Sequence, residues 1–153
     1  MNTPRDLLQP TLADDAGKAP AIHSATTGYL AAFIGGPIGG AVIALENARR
    51  LRRLAADAWL GGVAVGATLA LAWWEQRGGG LQWLVEHLGP GGPRVGGRAL
   101  GLAYFALAYY VHRRYNRNMA FYGIQAPSGW VIGFLAAGVG ALATAGLMVA
   151  LAR

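Results

Sequence analysis

The sequence predicts an all-α protein, and within that class an integral membrane bundle of four helices. Hydrophobic residues make up 54% of the 153 residues and charged residues only 13%, whereas about a quarter of a soluble domain is charged. The apolar residues form four long runs with charged segments between them. Runs of this kind are typical of helices that cross a bilayer and end among charged headgroups.

Two regions follow from this pattern. Residues 1–24 are polar and contain three prolines, so we expect a disordered tail there. No apolar run precedes the first span, and a secretory signal peptide is therefore not expected. Residues 25–153 predict a transmembrane domain with spans over 26–46, 58–75, 96–112 and 129–152.

The first span contains the unusual segment "FIGGPIGG" at 33–40. The uncharged run around it, Thr26–Leu45, would be about 30 Å long as a helix, which matches the core of a bilayer. Pro37 should kink this helix and free a carbonyl that a neighbour or water must satisfy. We interpret the Gly-Gly-Pro break as a place of tight helix packing. The alternative is that it lines a cavity or acts as a gating hinge.

The second and fourth spans are long and apolar. Trp59, Trp73 and Trp74 stand at the two ends of the second span, as in the aromatic belts of membrane proteins. Thr68 in the second span and Thr144 in the fourth are the only polar side chains deep within the spans. Each is expected to hydrogen-bond to the backbone of its own helix.

The third run is shorter than the others. Ala99–Val111 has thirteen uncharged residues, and it spans only if Arg98 and His112 reach the headgroups at its two ends. Otherwise it is an interfacial or re-entrant helix. The outer loop before it, 76–95, has apolar residues at helical spacing, which predicts a short helix in the headgroup plane. These residues are Leu81, Leu84, Val85 and Leu88.

The distribution of arginines predicts the orientation. Four spans place two arginine clusters on one side, and by the positive-inside rule that side is the cytoplasm. Seven of the thirteen Lys and Arg residues lie there. The tail, the loop 76–95 and the C-terminus are then periplasmic. The clusters consist of Arg49, Arg50, Arg52 and Arg53, and of Arg113, Arg114 and Arg117.

These arginines are the predicted contacts to anionic lipid headgroups. The alternative is that Arg113, Arg114 and Arg117 bind an acidic protein or a nucleotide. Although the formal net charge is +6, nucleic-acid binding is not expected, because most of the arginines flank apolar runs.

Small residues predict how the helices pack. Pairs of glycines four residues apart recur along the four spans, and such pairs let the backbones of membrane helices approach closely. There are more of these faces than one bundle needs, so some are expected to join copies in a homo-oligomer or to contact another membrane protein. The predicted packing residues are Gly35, Gly36, Pro37, Gly39, Gly40, Gly62, Gly66, Gly129 and Gly133.

The second and fourth spans also share a pattern. Trp59 is followed by Gly62 and Gly66, and Trp130 is followed by Gly133 and Ala137 at the same offsets. The pattern suggests a two-helix unit repeated in parallel orientation. The alternative is coincidence in a chain rich in glycine and alanine.

One segment carries a resemblance. The run 32–40, followed by Asn47 and Arg49, resembles a phrase in small, uncharacterised bacterial inner-membrane proteins. In them an "ATFLGGPLAGG" type segment leads to an "N-x-x-R-L-G" type end. The likeness covers about twenty-five residues of the first helix. It implies a multi-pass protein of the bacterial inner membrane and transfers no activity.

Few residues are suited to catalysis. The chain has no cysteine, and its only serines, Ser24 and Ser128, lie near helix starts, where Ser128 is expected to act as a cap. Three histidines are present, and the four-span arrangement places His112 on one side and His23 and His87 on the other. No metal site and no cofactor is therefore expected.

The spans carry acidic residues only at their ends, whereas ion-coupled transporters usually need one at mid-membrane. Glu46 precedes Arg49 and Arg50 by three and four residues, which predicts an ion pair on one helix. The alternative is a gate at the cytoplasmic mouth, formed by Glu46 or Asp57 with an arginine. Glu75 lies at the exit of the second span.

The expected function is non-enzymatic: a small structural or accessory membrane protein that assembles through glycine-rich helix faces. The alternative is a pore, channel or transporter subunit lined by glycine and threonine and kinked at Pro37. An intramembrane enzyme comes third, because the sequence offers neither an activated nucleophile nor an acid at mid-membrane.

Overall fold

A computed structural model describes residues 22–77, 79–114, 117 and 129–151. The predicted all-α class is confirmed: these residues form five helices of nine residues or more and one single-turn helix, with no strands. Most of the predicted tail, and Ser128, lie outside the described residues. The helices are α1 Ala25–Arg50, α2 Leu54–Asp57, α3 Trp59–Arg77, α4 Gly80–Leu88, α5 Gly92–Val111 and α6 Trp130–Leu151.

By length and composition alone, three segments of the described chain are apolar enough to cross a membrane: Ala25–Arg50, Leu54–Arg77 and Trp130–Ala150. They correspond to the first, second and fourth predicted spans. α5, the third, has 20 residues but is less apolar, because it contains Arg94, Arg98 and several glycines and tyrosines. A bundle of four spans is thus not established by the helices themselves.

α1 is not one straight helix, because the chain reverses at Gly36 (φ 64°, ψ −160°). The backbone N–H of His23 donates to Oδ1 of Asn47 at 2.8 Å, although the two residues are 24 apart in sequence. In a straight helix they would be about 36 Å apart. A Cβ placed on Gly39 would collide with the carbonyl of Ala31. The residues 25–35 and 37–50 are therefore two antiparallel arms of a helical hairpin.

The local sequence explains the hairpin. Ser24 caps the first arm, with its Oγ accepting from the N–H of Thr27 at 3.2 Å. At the turn, Gly36 adopts a conformation that is nearly restricted to glycine. Pro37 then begins the second arm at a position where a backbone N–H is not needed. Where the arms touch, Gly40 faces the methyl group of Ala32.

The predicted kink at Pro37 is thus a complete reversal one residue earlier, and the prediction of one continuous helix over 26–46 is wrong. The reason lies in Gly36, which removes the barrier to a positive φ just before the proline. At 1.5 Å per residue the arms are about 16 and 21 Å long. Neither arm alone matches the roughly 30 Å of a bilayer core.

Helices α5 and α6 enclose the hairpin. On α6, a Cβ on Gly140 would lie 2.5 Å from the carbonyl oxygen of Gly35, so the two backbones are in direct contact. On α5, Gly101 lies against Gly36 at the turn, and Phe105 covers Gly28 on the first arm. α3 joins this core where the hydroxyl of Tyr104 donates to the carbonyl of Leu60 at 3.0 Å.

The hairpin gives the molecule two different ends. The arginine end contains both open ends of the hairpin, the start of α3 and the end of α5, where His112 contacts Asp57. At the opposite, distal end, Gln76 of α3 donates to the carbonyl of Met148 on α6 at 3.2 Å. The helix α4 also lies at the distal end, in the loop where a short helix was predicted, with Leu84 buried against Gly92.

Two further predictions fail because of the reversal. His23 lies at the arginine end, so residues 22–24, the described end of the predicted tail, lie on the same side as the clusters and not on the opposite side. The parallel two-helix repeat also fails, since a hairpin precedes α3 whereas a single straight helix, α5, precedes α6. The one feature of the predicted repeat that the structure keeps is that α3 and α6 run in the same direction.

Candidate functional site

A large cavity begins at the hairpin turn and extends toward the distal end. It has a volume of about 810 Å³, within the range of small-molecule sites. We call it the vestibule. It exists because the hairpin stops partway along the helices that enclose it, which leaves α3, α5 and α6 without a partner between them. Its lining consists of Phe33, Ile34, Gly35, Gly36, Pro37, Thr68, Leu71, Glu75, Pro93, Arg94, Gly97, Arg98, Ala141, Thr144, Ala145 and Met148.

The floor of the vestibule is the hairpin turn. Gly35 and Pro37 are buried there, and a Cβ on Gly35 would lie 2.7 Å from the carbonyl oxygen of Ala137. On the other side, Gly101 leaves no room for a side chain against the backbone of Gly36. The floor is therefore closed by backbone contacts. The carboxyl end of one arm and the amino end of the other meet in it, so partial charges of both signs face the cavity.

Two threonines line the walls. Oγ1 of Thr68 donates to the carbonyl of Ala64 at 2.8 Å, and Oγ1 of Thr144 donates to the carbonyl of Gly140 at 2.8 Å. These are the bonds to their own helices that the sequence predicts. Each hydroxyl has given its hydrogen to the helix, so its oxygen remains available as an acceptor.

Three charged residues line the part of the vestibule that lies toward the distal end of the molecule. Glu75 comes from α3, and Arg94 and Arg98 come from α5, one helical turn apart. The guanidinium carbon of Arg98 lies 4.8 Å from the ring centroid of Phe33, a cation–π contact that ties α5 to the hairpin. Within the described part of the chain, no ion pair joins Glu75 to either arginine.

A second polar cluster lies at the arginine end. Nε2 of His112 is 3.0 Å from Oδ2 of Asp57, and both side chains are buried. Nε of Arg53 is 3.5 Å from the same oxygen. His23 is only 3% exposed, and neither of its ring nitrogens has a hydrogen-bond partner among the described residues. It shares with His112 a cavity of about 10 Å³. The prediction that His23 and His112 lie on opposite sides is therefore wrong.

The environment of His23 disfavours its charged form. Burial, followed by the positive charge of Arg50, lowers the pKa of His23, while Glu46 acts in the opposite direction. A cavity of this size is near the lower limit for one water molecule. In the described residues, no group of three or more His, Asp or Glu side chains is arranged to hold a metal ion.

The two residues predicted as alternative gates differ in their surroundings. Glu46 forms ion pairs on its own helix, at 2.7 Å to Nε of Arg49 and 3.0 Å to Nε of Arg50, as the helical spacing predicts. Asp57 is buried and faces a different helix through His112. Asp57 thus links the start of α3 to the end of α5, whereas Glu46 stays at the surface of the hairpin.

The remaining predicted arginines are mostly on the surface. Arg113 lies over the ring of Tyr110, with its guanidinium carbon 4.3 Å from the ring centroid. Arg52 has a positive φ of 56° in the turn after the hairpin. The exposed members of the two clusters are Arg49, Arg52, Arg53, Arg113, Arg114 and Arg117.

Most of the predicted packing glycines are in contact with another helix or arm. Gly35, Gly39 and Gly40 face α5, α6 or the other arm, and Gly129 and Gly133 face Thr27. Gly62 and Gly66 of α3 have no neighbour among the described residues within 4 Å of an added Cβ. Within the described part of the chain, these two glycines therefore do not pack against another helix.

Sequence reasoning missed the vestibule residues Arg94, Arg98 and Glu75 as a group. In the sequence, Glu75 and Arg98 are charges at the ends of predicted spans and Arg94 belongs to the outer loop 76–95. Nothing in the local pattern indicates that they share a cavity. The available signal was the alternative interpretation of the Gly-Gly-Pro break as a cavity lining.

Comparisons with protein-family models, with curated proteins and with solved structures gave no match for this chain.

Proposed function

We propose that the protein is a small membrane transport protein, a pore or carrier subunit, in which the vestibule receives a solute and the hairpin turn forms the barrier beneath it. The observation that carries this proposal is the reversal at Gly36, which ends the hairpin below a cavity of about 810 Å³. We therefore prefer a pore, channel or transporter subunit, which the sequence analysis gave as the alternative, to a purely structural role.

Bilayer physics supports a role for the broken helix. Irregular backbone at membrane depth is tolerated only where protein buries it or where it lines a water-filled cavity. Transporters use such discontinuous helices to present backbone groups and helix ends to their substrates. The turn at Gly36 is flanked by protein on two sides, at Ala137 and Gly101, and by the vestibule on the third.

The absence of cysteine makes the proposal directly testable. In the variants Thr144→Cys and Leu142→Cys, the new thiol is the only one in the chain. Both positions lie on α6, but Thr144 lines the vestibule, whereas Leu142 is 76% exposed on an apolar face. In lipid vesicles a membrane-impermeant thiol reagent should modify Thr144→Cys and spare Leu142→Cys. Equal rates, or the reverse order, would argue against a water-filled vestibule.

Solute flux tests the function itself. Swelling of vesicles containing the protein, measured for a panel of small neutral and charged solutes, should exceed that of empty vesicles for at least one solute. Thr144→Trp should reduce that flux, because the indole occupies the vestibule, and Leu142→Trp is the matched control on the outer face. A protein that supports no flux would return the structural role to first place.

A second candidate function rests on two glycines of α3 that have no close neighbour in the described part of the chain. Gly62 and Gly66 lie on one face of α3, and pairs with this spacing mediate contacts between membrane helices. We propose that this face joins copies in a homo-oligomer or contacts another membrane protein. Gly62→Leu should then lower the oligomeric state in mild detergent without changing helix content, and unchanged assembly would remove this candidate.

We further propose that the arginine end lies at the cytoplasmic face of a bacterial inner membrane, with the clusters on anionic headgroups. A lipid surface responds mainly to charge, whereas a partner that uses the guanidinium fork does not accept lysine. The double variant Arg113→Lys with Arg114→Lys should therefore keep its binding to anionic vesicles. If function is lost while insertion is normal, a specific acidic partner is indicated instead.

A further inference from the structure

We propose that the vestibule binds an oxyanion, a carboxylate or a phosphate group, through Arg94 and Arg98. This inference rests on the proposed vestibule and names the chemical class of its ligand. Two cationic side chains and one carboxylate, Glu75, line the same cavity. The net charge of the lining is therefore positive when all three groups are ionised.

The arrangement of the two arginines suits an oxyanion. Four residues separate them on α5, so they project from one face of the helix, one turn apart. Each guanidinium offers several N–H donors in a fixed plane, which matches the oxygens of a carboxylate or phosphate. The Phe33 ring lies 4.8 Å from Arg98 and holds its guanidinium against the hairpin at the vestibule wall.

The apolar walls strengthen this preference. Leu71, Ala141 and Ala145 line the vestibule with no polar side-chain atoms, and charges inside a cleft of low polarity act over longer distances than charges in water. Glu75 opposes an anion, yet no ion pair with it ties up Arg94 or Arg98 in the described part of the chain. Both guanidinium groups therefore remain available to a ligand.

The deeper part of the vestibule has the opposite hydrogen-bonding character. Thr68 and Thr144 have donated their hydrogens to their own helices, so they present acceptor oxygens. A ligand that fits both regions carries an oxyanion at one end and N–H or O–H donors at the other. Hydroxy acids, amino acids and phosphorylated alcohols have this composition, and so does the phosphate and glycerol portion of an anionic lipid.

The experiment measures the charge preference of the vestibule with two thiol reagents of similar size. The full-length Thr144→Cys variant, in mild detergent, is modified by an anionic sulfonatoethyl or a cationic trimethylammonioethyl methanethiosulfonate. The ratio of the anionic to the cationic rate, normalised to Gln82→Cys on the exposed helix α4, should exceed one by about tenfold or more. A ratio near or below one would overturn the assignment of an oxyanion.

Variants identify the responsible residues. In the Thr144→Cys background, Arg94→Gln and Arg98→Gln should each lower the normalised ratio several-fold, and Glu75→Gln should raise it. Arg77→Gln is the matched control, because Arg77 is an exposed arginine at the same end that does not line the vestibule. An equal effect of Arg77→Gln would show that only the general surface charge is being measured, and this would overturn the proposal.

Protection against modification separates the two sources of the oxyanion. Inorganic phosphate or a soluble hydroxy acid should slow the reaction if the ligand is a soluble solute, and phosphatidylglycerol in nanodiscs should slow it if the ligand is a headgroup. Protection by neither would overturn the proposal. Failure of both reagents to reach Thr144→Cys would instead overturn the vestibule itself, so the failure of the proposed function is distinguished from the failure of the ligand class.

Discussion

At the scale of single residues, the two carboxylates near the arginine end illustrate how burial decides the importance of an ion pair. Asp57 and its partner His112 are both almost fully buried, whereas Arg49, the closest partner of Glu46, is largely exposed to solvent. A buried group that loses its partner keeps the cost of desolvation. An exposed pair is replaced by water at little cost.

We therefore expect Asp57→Ala to lower the free energy of unfolding by about 1–3 kcal/mol, because it leaves the ring nitrogen of His112 buried without a partner. Glu46→Ala serves as the control and should lower it by less. Chemical unfolding in detergent, followed by tryptophan fluorescence, measures both. Equal losses would contradict the difference in burial.

The pKa of His23 predicts a pH dependence of stability. Burial and Arg50 lower this pKa in the folded protein, whereas in the unfolded chain it lies near its ordinary value of about 6.5. As the pH falls below about 6.5, His23 binds a proton in the unfolded state but not in the folded state. The free energy of unfolding therefore decreases, by at most about 1.4 kcal/mol per pH unit. The charged groups that act on His23 are Arg50 and Glu46, and the titratable group across the small cavity is His112.

The variant His23→Gln removes this titration and should flatten the dependence of the unfolding midpoint on pH between 7.5 and about 5. His87→Gln, at an exposed position on α4, is the control and should leave the slope as it is in the unaltered protein. If stability instead rises on acidification in a manner that requires His23, the direction assigned to its pKa is wrong.

At the scale of elements, the hairpin depends on a single backbone conformation. Gly36 has a φ of 64° with an extended ψ, and a residue with a Cβ pays about 1–3 kcal/mol to adopt it. Gly36→Ala should therefore lower the midpoint of thermal unfolding. Gly146→Ala, on an exposed face of α6 with no described neighbour within 4 Å, should raise it slightly or leave it unchanged, because alanine favours a helix more than glycine does.

The contact between the hairpin and α6 gives a second comparison. A Cβ on Gly140 would lie 2.5 Å from the backbone of Gly35 and Gly39, whereas a Cβ on Gly138 meets no described residue within 4 Å. Gly140→Ala should cost about 1–3 kcal/mol through overpacking, and Gly138→Ala should cost nothing. Thermal unfolding of the two variants side by side would test whether α6 packs on the hairpin as described.

The sequence predicts these elements unevenly. Length, hydropathy and charge locate α3 and α6 well, and Ser24 and Pro37 mark the starts of the two arms by ordinary capping rules. The reversal between the arms could not be predicted, because Gly-Gly-Pro is compatible with a kink and with a turn. The contacts that select the turn, such as His23 to Asn47, lie 24 residues apart and leave no local pattern.

At the scale of the whole molecule, the reversal changes which segments share a side. With the hairpin, residues 22–24 and the loop after α1 lie at the arginine end, and the loop before α5 lies at the distal end. Single cysteines at Ala25, Ala56 and Gly91 report on this in a cysteine-free chain. In spheroplasts, an impermeant reagent should either label both Ala25→Cys and Ala56→Cys or label neither of them. Gly91→Cys should give the opposite result. Agreement between Ala25→Cys and Gly91→Cys would restore a straight first span.

The vestibule is also a property of the whole molecule, and for that reason the sequence predicts its parts and not the site. Thr68 and Thr144 stand out as polar residues within apolar runs. Arg94 and Glu75, by contrast, are separated along the chain and carry no shared pattern. They face one cavity only because the hairpin is too short to fill the space between α3, α5 and α6.

The short hairpin also has a mechanical consequence. Among the described residues, a plane through the arginine half crosses five helical segments, the two arms and α3, α5 and α6, whereas beyond Gly36 only the last three continue, with the nine-residue helix α4 beside them. Each segment is about 10 Å wide, so in a bilayer the molecule would occupy a larger area in one leaflet than in the other. A change in the lateral pressure of one leaflet would therefore act unequally on the two halves of the molecule.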